Sequence, residues 1–567
     1  MAACSNSLRS LWLGTVLCLF GACALSAQQT ATVPRLPISG GYRIAGTVVS
    51  KTDLRPLARS RITLRDEKDP NKFESLITGE DGKFEFAGVP AGKYSLSGAK
   101  RGFIAASYDQ HDQFSTAIVT GAGLDTETLV LRLAPDAVIA GRVLDEAGEP
   151  VRHASVTLYY DEHSSGVDQI RQSNNAQTDD LGQYEMTPLR PGTYFLAASA
   201  KPWYAVHPPS ESAGSRSGRS TNANSESDQD DAPPAVERSL DVAYPVTYYP
   251  DVTAADDALP IPIRGGERVE ADIHFTPVPS LHLLFRIPDA GNHGFSVPQL
   301  EQPAFDGSTH VETGIARSVS PGLVEVTGIP AGRYNIRLFG QGQSLQMNGI
   351  DLTKDGDEVD TSKADAAGSV KVSVQIPGEA ALPSGLTVGL RSGNRMVAAS
   401  SFDSKGEAEL KQIAVSRYEV AVWGGGKRYA IVRMSAEGAE VSGHTLTVAA
   451  GSSPSVSLTL VSGNVEIRGT ATRAGKGLAG TMVVLVPKDP EVNRDLFRRD
   501  QSDLDGTFTL RSVVPGTYTL LAIENGWDLD WSQPGVIAAY LKRGRKIEVG
   551  QGSRTMKVIE PIEVQSK

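Results

Sequence analysis

Nine histidines, two acidic turns and a tryptophan pair are the residues in this 567-residue chain whose types could support chemistry. A hydrolytic zinc centre draws on imidazole and carboxylate ligands and keeps one position open. None of His111, His153, His163, His207, His274, His282, His293, His310 and His444 has a glutamate three residues on, and no His-Glu-x-x-His occurs. Asp161-Glu162-His163 is the nearest local grouping and reads as scattered surface charge. Gly214-Ser215-Arg216-Ser217-Gly218 has arginine where a serine elbow needs its nucleophile. Gly424-Gly425-Gly426-Lys427 lacks the spaced leading glycine of a phosphate loop and reads as a hairpin turn. Asp503-Leu504-Asp505-Gly506 and Asp355-Gly356-Asp357 offer hard oxygens without the closing glutamate of a calcium loop, so they read as turns. No catalytic residue, metal or cofactor is expected.

Ligand binding is the remaining chemistry. Trp527-Asp528-Leu529-Asp530-Trp531 sets two indoles four residues apart with carboxylates between them. Indole faces can stack on sugar rings while carboxylates accept from hydroxyls, so the stretch is a candidate glycan platform. Packing of both rings under a loop is the alternative. Tyr248-Tyr249 and Trp203-Tyr204 carry the same ambiguity. The expected ligand-binding residues are Trp527, Asp528, Asp530, Trp531, Tyr248 and Tyr249.

These residues sit on a repeated frame. Gly82 and Tyr94, Gly182 and Tyr194, Gly322 and Tyr334, Gly406 and Tyr418, and Gly506 and Tyr518 are each separated by twelve residues. Between them runs an alternating stretch such as Lys83-Phe84-Glu85-Phe86, then a turn such as Val89-Pro90-Ala91-Gly92. The glycine tolerates positive φ, and period-two alternation marks a strand with one buried face. The two strands are expected to form a hairpin-like pair, with the tyrosine burying its ring and bonding backbone near the corner. In the fourth copy the Pro-Gly turn has become Val415-Ser416. Upstream, Ile44-Ala45-Gly46-Thr47-Val48-Val49, Ile139-Ala140-Gly141-Arg142-Val143-Leu144 and Val465-Glu466-Ile467-Arg468-Gly469-Thr470 read as first strands. Repeats at this spacing are an array of domain-sized modules.

The Gly-x-Val, Pro-x-x-x-Ala-x-Val-x-Leu, Asp-x-x-Gly-x-Phe and Pro-x-Gly-x-Tyr-x-Leu elements resemble the carboxypeptidase regulatory-like domain. That resemblance implies a transthyretin-like β-sandwich of the carbohydrate-binding-like fold, the accessory part of the peptidases rather than their catalytic part. Tyr244-Pro245-Val246-Thr247-Tyr248-Tyr249-Pro250 and Trp531-Ser532-Gln533-Pro534 also resemble tandem-module secreted proteins of acidobacteria. The expected architecture is all-β, a tandem array of about five Greek-key sandwiches. Its divisions are a signal peptide at 1–27 and modules at 41–134, 135–278, 279–362, 366–461 and 462–567. The Ser/Asn/Asp-rich stretch 209–239 reads as a disordered insert in the second module.

Composition bounds what such an array can do. Hydrophobic residues at 40% and charged residues at 21% suit globular domains, and a formal charge of −11 lacks the basic footprint of a nucleic-acid binder. The apolar run Leu11–Phe20 leads into Ala22-Cys23-Ala24-Leu25-Ser26-Ala27, as in a secretory signal peptide, with lipidation at Cys23 as an alternative. Cys4, Cys18 and Cys23 all lie in that segment, so a chain cut at Ala27 has no thiol chemistry. The expected function is a non-enzymatic secreted or cell-envelope binding scaffold. Its expected partner is a polysaccharide or an envelope protein, not nucleic acid, and the mature chain has no membrane span. The alternatives are an extracytoplasmic hydrolase with a site assembled from distant residues, and a pure spacer.

Overall fold

The computed structural model describes residues 41–567 apart from 122, 164–165, 209–237, 288–296, 340–343, 380, 393–394, 427 and 551–553. The expected signal peptide, nearly all of the expected disordered insert, and His293 lie outside the described residues. The fold is all-β. Strands dominate, and among the described residues the one α-helix is Pro534–Leu541.

One plan is repeated. In the first sandwich Tyr42–Ser50 lies centrally, antiparallel to Lys83–Val89 and parallel to Leu129–Leu133. The facing sheet sets Arg61–Asp66 between Phe73–Ile77 and Lys93–Ala99. Ala137–Leu144, Leu281–Arg286, Gly368–Gln375 and Val465–Arg473 take the same central place in the later sandwiches. The parallel neighbour explains the glycine of the first strand. A Cβ on Gly46 would lie 2.1 Å from the Leu129 carbonyl oxygen.

The repeat is a crossover, not the hairpin expected from its spacing. Lys83–Val89 and Lys93–Ala99 belong to different sheets, so Pro90-Ala91-Gly92 carries the chain across the sandwich. Gly424-Gly425-Gly426 likewise joins Ser416–Trp423 and Arg428–Glu437, which lie in opposite sheets. The glycine opening each repeat has φ between +67° and +81° in all five copies. Each corner is then closed by its tyrosine. The hydroxyls of Tyr94, Tyr194, Tyr334, Tyr418 and Tyr518 donate to the carbonyls of Pro90, Arg190, Pro330, Ala414 and Val514, each four residues earlier, at 2.6–3.0 Å. The fourth copy keeps this bond without its proline because the acceptor is a backbone carbonyl.

The sandwiches are not separate beads. Tyr159, Ala197, Val246 and Tyr248 of the second share one buried cluster with Leu283, Phe285 and Tyr334 of the third. In the fifth, Met482–Pro487 is buried on both faces, and a second cluster behind it takes in Phe497, Trp531 and Ile537. The fifth sandwich also closes back on the first: Leu504 N–H donates to the Ala117 carbonyl at 3.0 Å, and Lys93 pairs with Asp503.

Candidate functional sites at the module junctions

The tryptophan pair sits at that closure. Trp531 is 9% exposed and packs against Phe497. Trp527 stacks on His111 at 4.9 Å between centroids and donates its indole N–H to the Gly480 carbonyl. The Arg499 guanidinium lies 4.2 Å above the Trp531 ring and 5.2 Å above Phe114. Burial lowers the pKa of Arg499, and Asp112 at 3.2 Å opposes that fall. His111 thus covers a face of Trp527, and Arg499 a face of Trp531. Asp528 is exposed and pairs with Lys567, whereas Asp530 turns toward His163. Tyr248 is 2% exposed beneath Phe305, and Tyr249 packs partly against the core of the second sandwich. The six residues are not brought together on one surface. Among the described residues the most exposed indole is Trp203, 87% accessible, edge-on to Tyr204, whose hydroxyl pairs with Glu146.

The acidic turns are likewise engaged. Asp503 accepts from the Ala117 N–H and pairs with Lys93, while burial raises its pKa against the pull of that lysine. Asp355 accepts from the His282 N–H at 2.8 Å. His163 joins the second sandwich to the fifth: its Nε2 lies 2.7 Å from the Leu529 carbonyl and its Nδ1 2.6 Å from Asp168. Burial opposes a charge on this ring, but Leu529, Asp168 and Asp530 together outweigh it and raise the pKa.

Residues 43–129 and 138–210 each fit the family model of the carboxypeptidase regulatory-like domain. The two matches lie in tandem, in the first and second sandwiches. No curated protein matches the chain. Among solved structures it is similar to the Bacillus anthracis TIE protein, at 11% identity over 74% of each chain with a TM-score of 0.16. It is also similar to the minor pilin of Streptococcus agalactiae, at 13% identity over 42% of this chain and 97% of that one, TM-score 0.20. Two B repeat units of the Staphylococcus aureus collagen-binding protein align at 10% identity over 74% of this chain and 99% of theirs, TM-score 0.13.

A further cluster lies where the tail of the second sandwich meets the third. His207 Nδ1 lies 2.8 Å from Asp241 Oδ1, and His282 Nε2 lies 2.6 Å from Asp241 Oδ2. Behind them the carboxylate of Glu325 is 0% exposed, 3.8 Å from His282 Nδ1 and 3.4 Å from Arg317 Nε. Sequence reasoning missed this group because its members stand 34 and 41 residues apart, outside any local ligand spacing. A signal was present: Glu325 holds the place in its repeat that Glu85 and Glu185 hold in theirs, where they face solvent beside Arg43 and Arg268. Here Glu325 lies beside Arg317 and His282 of its own sandwich, and the tail of the second sandwich bonds to both of these through the His207 carbonyl and Asp241.

Proposed function

We propose that this protein is an exported, non-enzymatic scaffold of the cell envelope, a closed platform of sandwich modules that holds a polysaccharide or an envelope protein. The supporting observation is the use made of its chemistry-capable residues. The tyrosines close corners, and the tryptophan pair, Arg499, Asp503 and His163 join one module to another. No helix among the described residues is long and apolar enough to cross a membrane. Within this reading sugar contact falls to Trp203, whose indole is open while Glu146 holds the neighbouring Tyr204 in place.

Retention of the purified chain on insoluble cell-wall and plant polysaccharides, compared with Trp203→Ala, tests the finer claim. Several-fold weaker retention of the variant is expected, and equal retention removes Trp203 from the site. Turnover of ester, peptide or glycoside substrates by the wild-type chain would sink the scaffold reading.

A further inference from the structure

We infer that His207, Asp241 and His282 form a binding site for a borderline divalent transition-metal ion, of which Zn2+ is the representative. The ion would clamp the tail of the second sandwich onto the third. The donor set is two imidazole nitrogens converging on one carboxylate, all within 4.8 Å of one another. Imidazole with carboxylate suits zinc and its neighbours, whereas calcium and magnesium prefer oxygen-only shells. Tetrahedral ligands at bond lengths of about 2.0–2.1 Å stand about 3.3 Å apart, so each imidazole nitrogen, now 2.6–2.8 Å from a carboxylate oxygen, draws back from it by about half an ångström or slightly more.

The surroundings hold the donors in place. Val206 N–H donates to the Leu240 carbonyl, Ser280 N–H to the Asp241 carbonyl, and Arg317 to the His207 carbonyl, so both tail segments are tied to the third sandwich. The His207 ring lies against Gly314 and Gly328, where a Cβ at either would come 2.9 Å from its Nε2. On the far side of His282 the buried Glu325 carboxylate lies 3.8 Å from Nδ1, on the side where the outer partner of a ligating imidazole sits. Three protein donors leave one position for water. The other joining histidine, His163, has Nε2 on a backbone carbonyl and a largely exposed Asp168, and it serves as the control.

The test uses the full chain purified without a histidine tag and stripped with chelator. Elemental analysis after equilibration with Zn2+ and dialysis is expected to find one ion per chain. Calorimetric affinity should fall at least about tenfold in His207→Ala and in Asp241→Asn, and stay unchanged in His163→Ala. Should a variant fail to fold, Co2+ bound to the wild-type chain reports directly, with visible ligand-field bands of a nitrogen–oxygen site. Absence of stoichiometric Zn2+, or uptake that survives in folded His207→Ala, would show that the two imidazoles only share a carboxylate by hydrogen bonding. A featureless Co2+ spectrum would overturn the metal site in the same way.

Discussion

At the scale of single residues, the tyrosines and the buried carboxylates decide most. Tyr334 is fully buried, and its hydroxyl has one neutral acceptor, the Pro330 carbonyl. Tyr334→Phe is expected to cost about 1 kcal/mol, the net worth of one such bond plus the orphaned carbonyl, measured by urea denaturation. The role of this residue was legible because the twelve-residue spacing ties it to the corner. Asp500 was not legible as unusual. Burial pushes its carboxyl up to about 6, although its Oδ2 accepts from the Thr509 N–H at 2.6 Å. A carboxylate with a raised folded pKa stabilises the fold only while protonated, so its ionisation removes stability as pH climbs from about 4 toward 6. Asp500→Asn keeps an acceptor for Thr509. Its stability should equal wild type near pH 4 and exceed it above pH 6 by roughly 3 kcal/mol, read as a higher melting temperature. An equal difference at both pH values would refute this account.

Among elements, alternation told which strands exist but not always which sheet they join. Lys83–Val89 and Lys93–Ala99 were both readable, yet the short turn between them resembles a hairpin loop and in fact spans two sheets. Loop length alone does not separate the two cases, whereas sheet membership does. The unbroken apolar run Met482–Val486 carried a message that alternation rules pass over: a strand without a polar face is covered on both sides. That cover is Trp531 and the helix Pro534–Leu541, which is why the indole sits in a core. The first-strand glycine gives the sharpest element-level test. Gly46→Ala would press a methyl into the Leu129 carbonyl and force the parallel pair apart, at about 3 kcal/mol or more. A variant within about 0.5 kcal/mol of wild type, the margin typical of neutral surface changes, would mean the strand yields freely.

For the whole molecule, closure is the deciding feature. Gln501 donates to the Asp109 carbonyl at 2.5 Å and to Thr116 at 2.8 Å, while Lys93 reaches Asp503 and Thr507 from the first sandwich. The double variant Lys93→Ala/Gln501→Ala should loosen the joint, raising the radius of gyration in small-angle scattering while the far-ultraviolet spectrum of the strands persists. An unchanged radius would place the closure elsewhere. The His163 joint adds a pH dependence. Its folded pKa is raised, so its contribution to docking is complete below the unfolded value and is lost as pH rises through the folded one. Hydrogen exchange at Leu529–Ser532 should therefore be slower at pH 6 than at pH 8 after correction for intrinsic rates, and His163→Ala should erase that difference.

The amino-acid order by itself determined the all-β sandwich class, the strand alternation, the turn glycines and the tyrosine corners. Those depend on contacts within a dozen residues, where spacing and φ preference act directly. Tertiary structure alone decided that Trp527 and Trp531 pack at a module junction, that Glu325 is buried, and that His207, Asp241 and His282 meet. Each of these depends on one module covering the face of another, and a surface is polar or apolar in sequence without saying what will lie upon it.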